Sequence, residues 1–210
     1  MIGEKWELLK SLWKKYGVYA PWFIVINRAM TAPFLLWEAR NGHPGIVFLM
    51  AFSGAFFGDV FDGMIARKLG VSNPKLRQAD SLADICLYAS VAISAYWSFP
   101  EIVLQYRTPL LALAGLQAVW LIASLMKYRR PACYHSYSAK AWGAAIYLAS
   151  MTLFLTQQGG WAIWLMIGVG IFHTLEEIAM TAVLPTWTHD VLSFRQALKQ
   201  SQLQAARGEA

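Results

Sequence analysis

Apolar residues fall along this chain in long runs broken by short polar or turn-forming stretches. Six runs, at 20–38, 46–67, 82–99, 108–126, 140–157 and 161–184, each approach the length that a membrane-crossing helix needs, about 20 residues. The breaks carry turn chemistry: Asn41-Gly-His-Pro44-Gly45, Ser72-Asn-Pro74, Phe99-Pro100-Glu101, Arg129-Arg130-Pro131 and Gln157-Gln-Gly159-Gly160. Before the first run, Trp6, Leu9, Trp13 and Tyr16 recur at helical spacing, joined by Leu8 and Leu12 and interleaved with lysines at 5, 10, 14 and 15. That segment is too short and too charged to span, and it predicts an interfacial amphipathic helix over 1–19. The expected fold is an all-α integral membrane protein: an interfacial helix, a six-helix membrane domain over 20–184, and a polar, basic cytoplasmic tail over 185–210 that begins as a short surface helix.

Composition sharpens the membrane reading. Of 210 residues, 57% are hydrophobic and 14% charged, against about 45–50% and about 25% in soluble domains. Cys86 and Cys133 lie in different elements with no metal or disulfide spacing, and both read as free thiols. The net charge of +6 does not call for nucleic acid, because basic residues beside membrane spans contact anionic lipid and set topology. Fifteen Lys and Arg fall in the N-terminal segment, the second-to-third and fourth-to-fifth connections and the tail; only Arg40 and Arg107 fall on the other side, and Arg28 lies inside the first run. The positive-inside rule then places both termini in the cytoplasm, and a bacterial inner membrane is the expected location.

The candidate chemistry lies at the cytoplasmic edge of the second and third runs. Asp59, Asp62, Gly63 and Ala66 share a helical face, followed by Arg67, and Asp80 and Asp84 stand at i, i+4 where the third run begins. A carboxylate costs about 2.5–3.5 kcal/mol at the centre of a spanning helix, so four together call for a neutralising partner. Oxygen-only donors suit magnesium, manganese or calcium. The small residues beside Asp59 and Asp62 leave room for a ligand to approach the backbone. Taken singly, the pairs have plainer readings: a solvated DxxD at a helix end, and a capping carboxylate at Asp80.

The ordered block resembles the signature of the CDP-alcohol phosphatidyltransferases, D-x2-D-G-x2-A-R-x8-G-x3-D-x3-D. Asp59, Asp62, Gly63, Ala66, Arg67, Asp80 and Asp84 match in identity and spacing, and Leu76 stands where the pattern has its second glycine. Pro21, Arg28 and Pro33 keep the spacing of a first-span motif common in the family, with Trp22 and Val25 replacing its Asn and Thr, and Ala139-Lys140 sits where members carry Gly-Lys. The resemblance implies that Asp59, Asp62 and Asp80 ligate magnesium or manganese. It makes Asp84 the general base and a ligand to a second metal, and has Gly63, Ala66 and Arg67, with position 76, border the nucleotide. It implies a CDP-diacylglycerol or other CDP-alcohol donor, a polar alcohol acceptor such as glycerol phosphate, inositol phosphate or serine, release of CMP, and a homodimer. The opposite division of labour, with a CDP-linked small alcohol donating to diacylglycerol, would use the same aspartates. Arg129, Arg130, Lys140 and Arg28 are candidates for an acceptor phosphate, since Arg forks suit phosphate oxygens, with topology-setting charge as the alternative.

Two rival functions remain open at this point: a divalent-cation transporter or channel lined by the four aspartates, and a family member that binds nucleotide lipid without turning it over. His173-x-x-Glu176-Glu177 in the sixth run is not the H-E-x-x-H of zinc peptidases. It reads first as an intramembrane salt bridge or a polar helix end, with Arg28 as a candidate partner of the glutamates.

Overall fold

The computed structural model describes residues 20–42, 44–69 and 74–206, and their side chains except at 20, 21, 59–69, 74 and 77. The interfacial helix expected over 1–19 lies outside the described residues. Among those described the chain is helical throughout: α1 Ala20–Asn41, α2 Ile46–Leu69, α3 Pro74–Ser98, α4 Pro100–Gln105, α5 Arg107–Tyr128, α6 Tyr137–Thr156, α7 Trp161–Val183 and α8 Phe194–Ala206. Six of these, α1, α2, α3, α5, α6 and α7, fall on the six apolar runs. Judged on the described residues, two of them, α5 and α7, are long and apolar enough by length and composition to cross a membrane. Only 11% of the most apolar stretch of α5 is covered by protein. Leu111, Val119, Ile122 and Met126 are exposed along it, so this is no core helix of a soluble protein, which would hide such a surface.

The chain divides into two compact units between Ser98 and Phe99. In the first, α1 packs against both α2 and α3, most extensively against α3. Phe48 and Phe52 on α2 and Leu35 on α1 are fully buried. The third run begins helically eight residues earlier than its apolar pattern, at Pro74, because Lys75, Arg77, Gln78 and Asp80 continue the helix without being apolar. A proline suits that first position, since its missing N–H has no intrahelical partner there. Asp80 therefore sits inside the helix, beyond its first turn, and is not its N-cap.

In the second unit α7 is central, packing against α5, α6 and α8. Gly170 lets the α6 helix approach: a Cβ there would stand 2.5 Å from Trp142 Nε1. Gly160, at φ +134°, turns the chain into α7 with a conformation that L side chains rarely adopt. The C-terminal carbonyls of α7 are taken up by α5. Lys127 Nζ donates to the carbonyls of Thr181 (2.8 Å) and Ala182 (2.9 Å), and Tyr128 Oη to those of Thr181 and Leu184. The segment after α7 is folded through residue 206. Met180, Leu184, Val191 and Ala197 close a small core with Ala132 and Tyr134, and the Tyr137 N–H donates to Leu192 O. Burial pushes the Tyr134 hydroxyl above its ordinary pKa, so it serves as a neutral partner of Thr181 Oγ1 at 3.0 Å.

Candidate functional site

Asp80 and Asp84 are one turn apart on α3 and face α1. There Arg28, with only 1% of its side chain accessible, meets both. One nitrogen, Nη1, lies 2.9 Å from Asp80 Oδ1 and 2.5 Å from Asp84 Oδ1. The two carboxylates differ in access: the Asp80 side chain is 7% exposed and that of Asp84 28%. Arg28 is surrounded along its own helix by buried Val25, Ala32 and Leu35, so its charge is far from bulk water and needs an acidic partner. The sequence offered it Glu176, Glu177 or a phosphate; among the described residues it pairs with Asp80 and Asp84.

This geometry tests whether the residues suit a divalent cation. Two hard oxygen donors from successive turns converge on a single positively charged atom, so Arg28 Nη1 marks a point that both carboxylates reach. A magnesium-type ion asks for oxygen donors of this kind, usually one or two carboxylates supplemented by water and phosphate oxygens. The donor set fits. Asp59, Asp62, Gly63, Ala66 and Arg67 lie on the last turns of α2, and their side chains are outside the described set. Among the described residues no three His, Cys, Asp or Glu are grouped as metal ligands.

Leu76, in the glycine position of the signature, is 4% exposed and packs with Val25 of α1 and Ala83 of α3, flanked by Trp22 and Ala79. Its side chain thickens the α1–α3 seam one turn before Asp80.

Of the basic residues read as acceptor candidates, Arg28 lies in the first unit and Arg129, Arg130 and Lys140 sit in the second. Arg129, at φ 59°, closes α5 in the left-handed conformation and is exposed. The Arg130 guanidinium stacks on Trp187, 3.9 Å from the ring centroid, while Trp187 Nε1 donates to Pro131 O. Lys140, exposed on the first turn of α6, reaches over the Tyr137 ring at 5.6 Å.

The same unit holds a buried polar cluster around Ser138. The Ser138 hydroxyl donates to Glu176 Oε2 at 2.5 Å, lies 3.2 Å from His173 Nδ1, and is 2.9 Å from Ser136 Oγ. Glu176 Oε1 accepts the Phe194 backbone N–H at 3.1 Å, which caps the start of α8 with a carboxylate. His173 Nε2 and Glu177 Oε2 are 3.9 Å apart, and the His173 ring lies against Trp142. The sixth-run acids thus serve the junction of α6, α7 and α8. The sequence reading missed Ser138 as their partner. A signal was present in Ser136-x-Ser138 opening the fifth run, where hydroxyls favour helix starts.

Helices clad in apolar side chains suit a membrane protein, and near the start of α3 a buried Arg meets two converging carboxylates. The model of the CDP-alcohol phosphatidyltransferases matches residues 18–172, which include the whole aspartate block, and the chain belongs to that family. Members are transferases acting on CDP-linked alcohols and use a divalent metal. Neither a curated protein nor a solved structure matches the chain.

Proposed function

We propose that this protein moves the phosphatidyl group of CDP-diacylglycerol to a hydroxyl of a polar acceptor and releases CMP. The observation that carries the reading is the family match across the aspartate block. In this reading Asp59, Asp62 and Asp80 hold the divalent cation, magnesium or manganese, with Asp84 beside it. When bound, the metal supplies positive charge against the pyrophosphate oxygens and the departing phosphate.

The protein's own residues do the rest. The acceptor oxygen attacks the lipid-side phosphorus, the bond from that phosphorus to the oxygen of CMP breaks, and CMP departs with the electron pair. Asp84 takes the acceptor's hydroxyl proton as the new P–O bond forms. Its greater exposure, 28% against 7% for Asp80, supports this division: Asp84 can be reached by substrate, and Asp80 is set deeper. Gly63, Ala66 and Arg67 border the nucleotide, and Leu76 enters that border through the backbone, its side chain being spent in the α1–α3 seam.

Among the candidates for an acceptor phosphate, Lys140 and Arg129 are exposed, whereas the Arg130 guanidinium lies on Trp187 and Arg28 is paired with acids. Six spans with both termini in the cytoplasm of a bacterial inner membrane suit the coincidence of six helices with six apolar runs and the asymmetric Lys and Arg distribution. A homodimer follows the family.

The test is CMP release by the purified protein with magnesium and CDP-diacylglycerol, offered glycerol phosphate, inositol phosphate, serine and glycerol in turn. Release with one acceptor supports the reading. No release with any of them, or undiminished release after Asp84→Asn, would defeat it.

A further inference from the structure

This inference rests on the reading that Asp80 and Asp84 serve a divalent cation. Arg28 Nη1 touches Oδ1 of both, so the guanidinium and a cation bound through those same oxygens are alternatives. Two ionised carboxylates at i, i+4 repel, and in a poorly hydrated site the repulsion is far larger than in water. A positive charge between them relieves that repulsion when no ion does. Arg28 is tethered where that charge is needed. It lies on α1, the helix packed most closely on α3, with 1% of its side chain accessible.

We propose that Arg28 is a positioning residue acting as a built-in counter-cation. It holds Asp80 and Asp84 together while the site is metal-free, and a divalent ion gains their oxygens only by displacing it. The pair is thus kept in register for the metal, and metal affinity is set lower than the carboxylates alone would give. By linkage, the guanidinium and the ion oppose each other by one and the same factor.

The experiment titrates Mn²⁺ into the full-length protein in detergent micelles and reads bound ion by electron paramagnetic resonance. The expected result is that Arg28→Gln binds Mn²⁺ about tenfold tighter than the wild type, as a coupling of ordinary size would give. A purely structural arginine would leave affinity unchanged or weakened on removal, and either result overturns the inference while the metal site stands. A wild type that binds no Mn²⁺, or binds it equally well after Asp80→Asn, overturns both this inference and the functional reading.

Should Arg28→Gln fail to fold, the wild type labelled with ¹⁵N-arginine decides. The Arg28 side-chain resonance, assigned by its loss in Arg28→Lys, is expected to move during a Mg²⁺ titration with the midpoint of metal binding. A resonance that stays fixed overturns the inference.

Discussion

Arg28 on α1 and Asp80 on α3 form an ion pair of 2.9 Å from which solvent is almost wholly excluded, with side chains 1% and 7% exposed. The pair joins α1 to α3 through residues 52 apart in sequence. It also fixes the face of α3 that carries the candidate site. Removing Arg28 takes a buried positive charge away from both Asp80 and Asp84. Arg28→Met is therefore expected to cost about 3–5 kcal/mol, the usual penalty for breaking a buried pair. Thermal denaturation in detergent, followed by size-exclusion fluorescence, measures it. An unchanged midpoint would show that the pair does not hold the seam.

Leu76 fills the α1–α3 seam with Val25 and Ala83. Truncating a buried leucine to alanine loses both transfer energy and packing, so Leu76→Ala is expected to destabilise by about 2–5 kcal/mol. The same thermal assay checks it, with exposed Leu82→Ala as a control expected to change little.

Glu176 bridges Ser138 and the N-terminus of α8. Its removal takes the side-chain acceptor from the Phe194 N–H and leaves the Ser138 hydroxyl to His173 Nδ1 or Ser136 Oγ. Glu176→Ala is expected to cost about 1–3 kcal/mol and to raise hydrogen exchange across Phe194–Ala206 more than in α5. Equal exchange in the two helices would mean that α8 is held by its apolar contacts alone.

At Gly170 side chains of α6 and α5 lie against the α7 backbone: a Cβ there would meet Trp142 at 2.5 Å and Leu113 at 3.0 Å. Both obstacles are bulky and packed. Gly170→Ala is expected to cost about 1–3 kcal/mol from overpacking, outweighing alanine's better helix propensity. A melting temperature at or above that of the wild type would contradict this.

Most of the helical framework could be read from hydrophobic runs, because a run of about 20 apolar residues leaves the backbone few choices in lipid. Boundaries failed where polarity and helicity part company. At Pro74–Asp80 the helix goes on through charged residues, and at Pro100–Gln105 a short helix occupies what reads as a turn. The Asp80–Asp84 pair was legible because i, i+4 spacing on one helix is local information. The partner of Arg28 was not, since periodicity within a helix says nothing about its register against another. On the sequence alone, Glu176 and Glu177 were as eligible as Asp80 and Asp84. A lone in-span cation matched to two acids one turn apart was nonetheless a usable hint. The packing of α8 was hidden for a different reason: it rests on a few small residues such as Ala197 in a mostly polar helix.

Phosphatidyl transfer is tested most directly by following the lipid-side phosphorus. CDP-diacylglycerol carrying ³²P at that position is incubated with the purified protein, magnesium and the acceptor that supports CMP release. The expected result is that all transferred label appears in a new phospholipid, none accompanies CMP, and Asp84→Asn reduces transfer by about 10²–10⁴-fold, as loss of a general base does. Label leaving with the nucleotide, or transfer undiminished in Asp84→Asn, would contradict it.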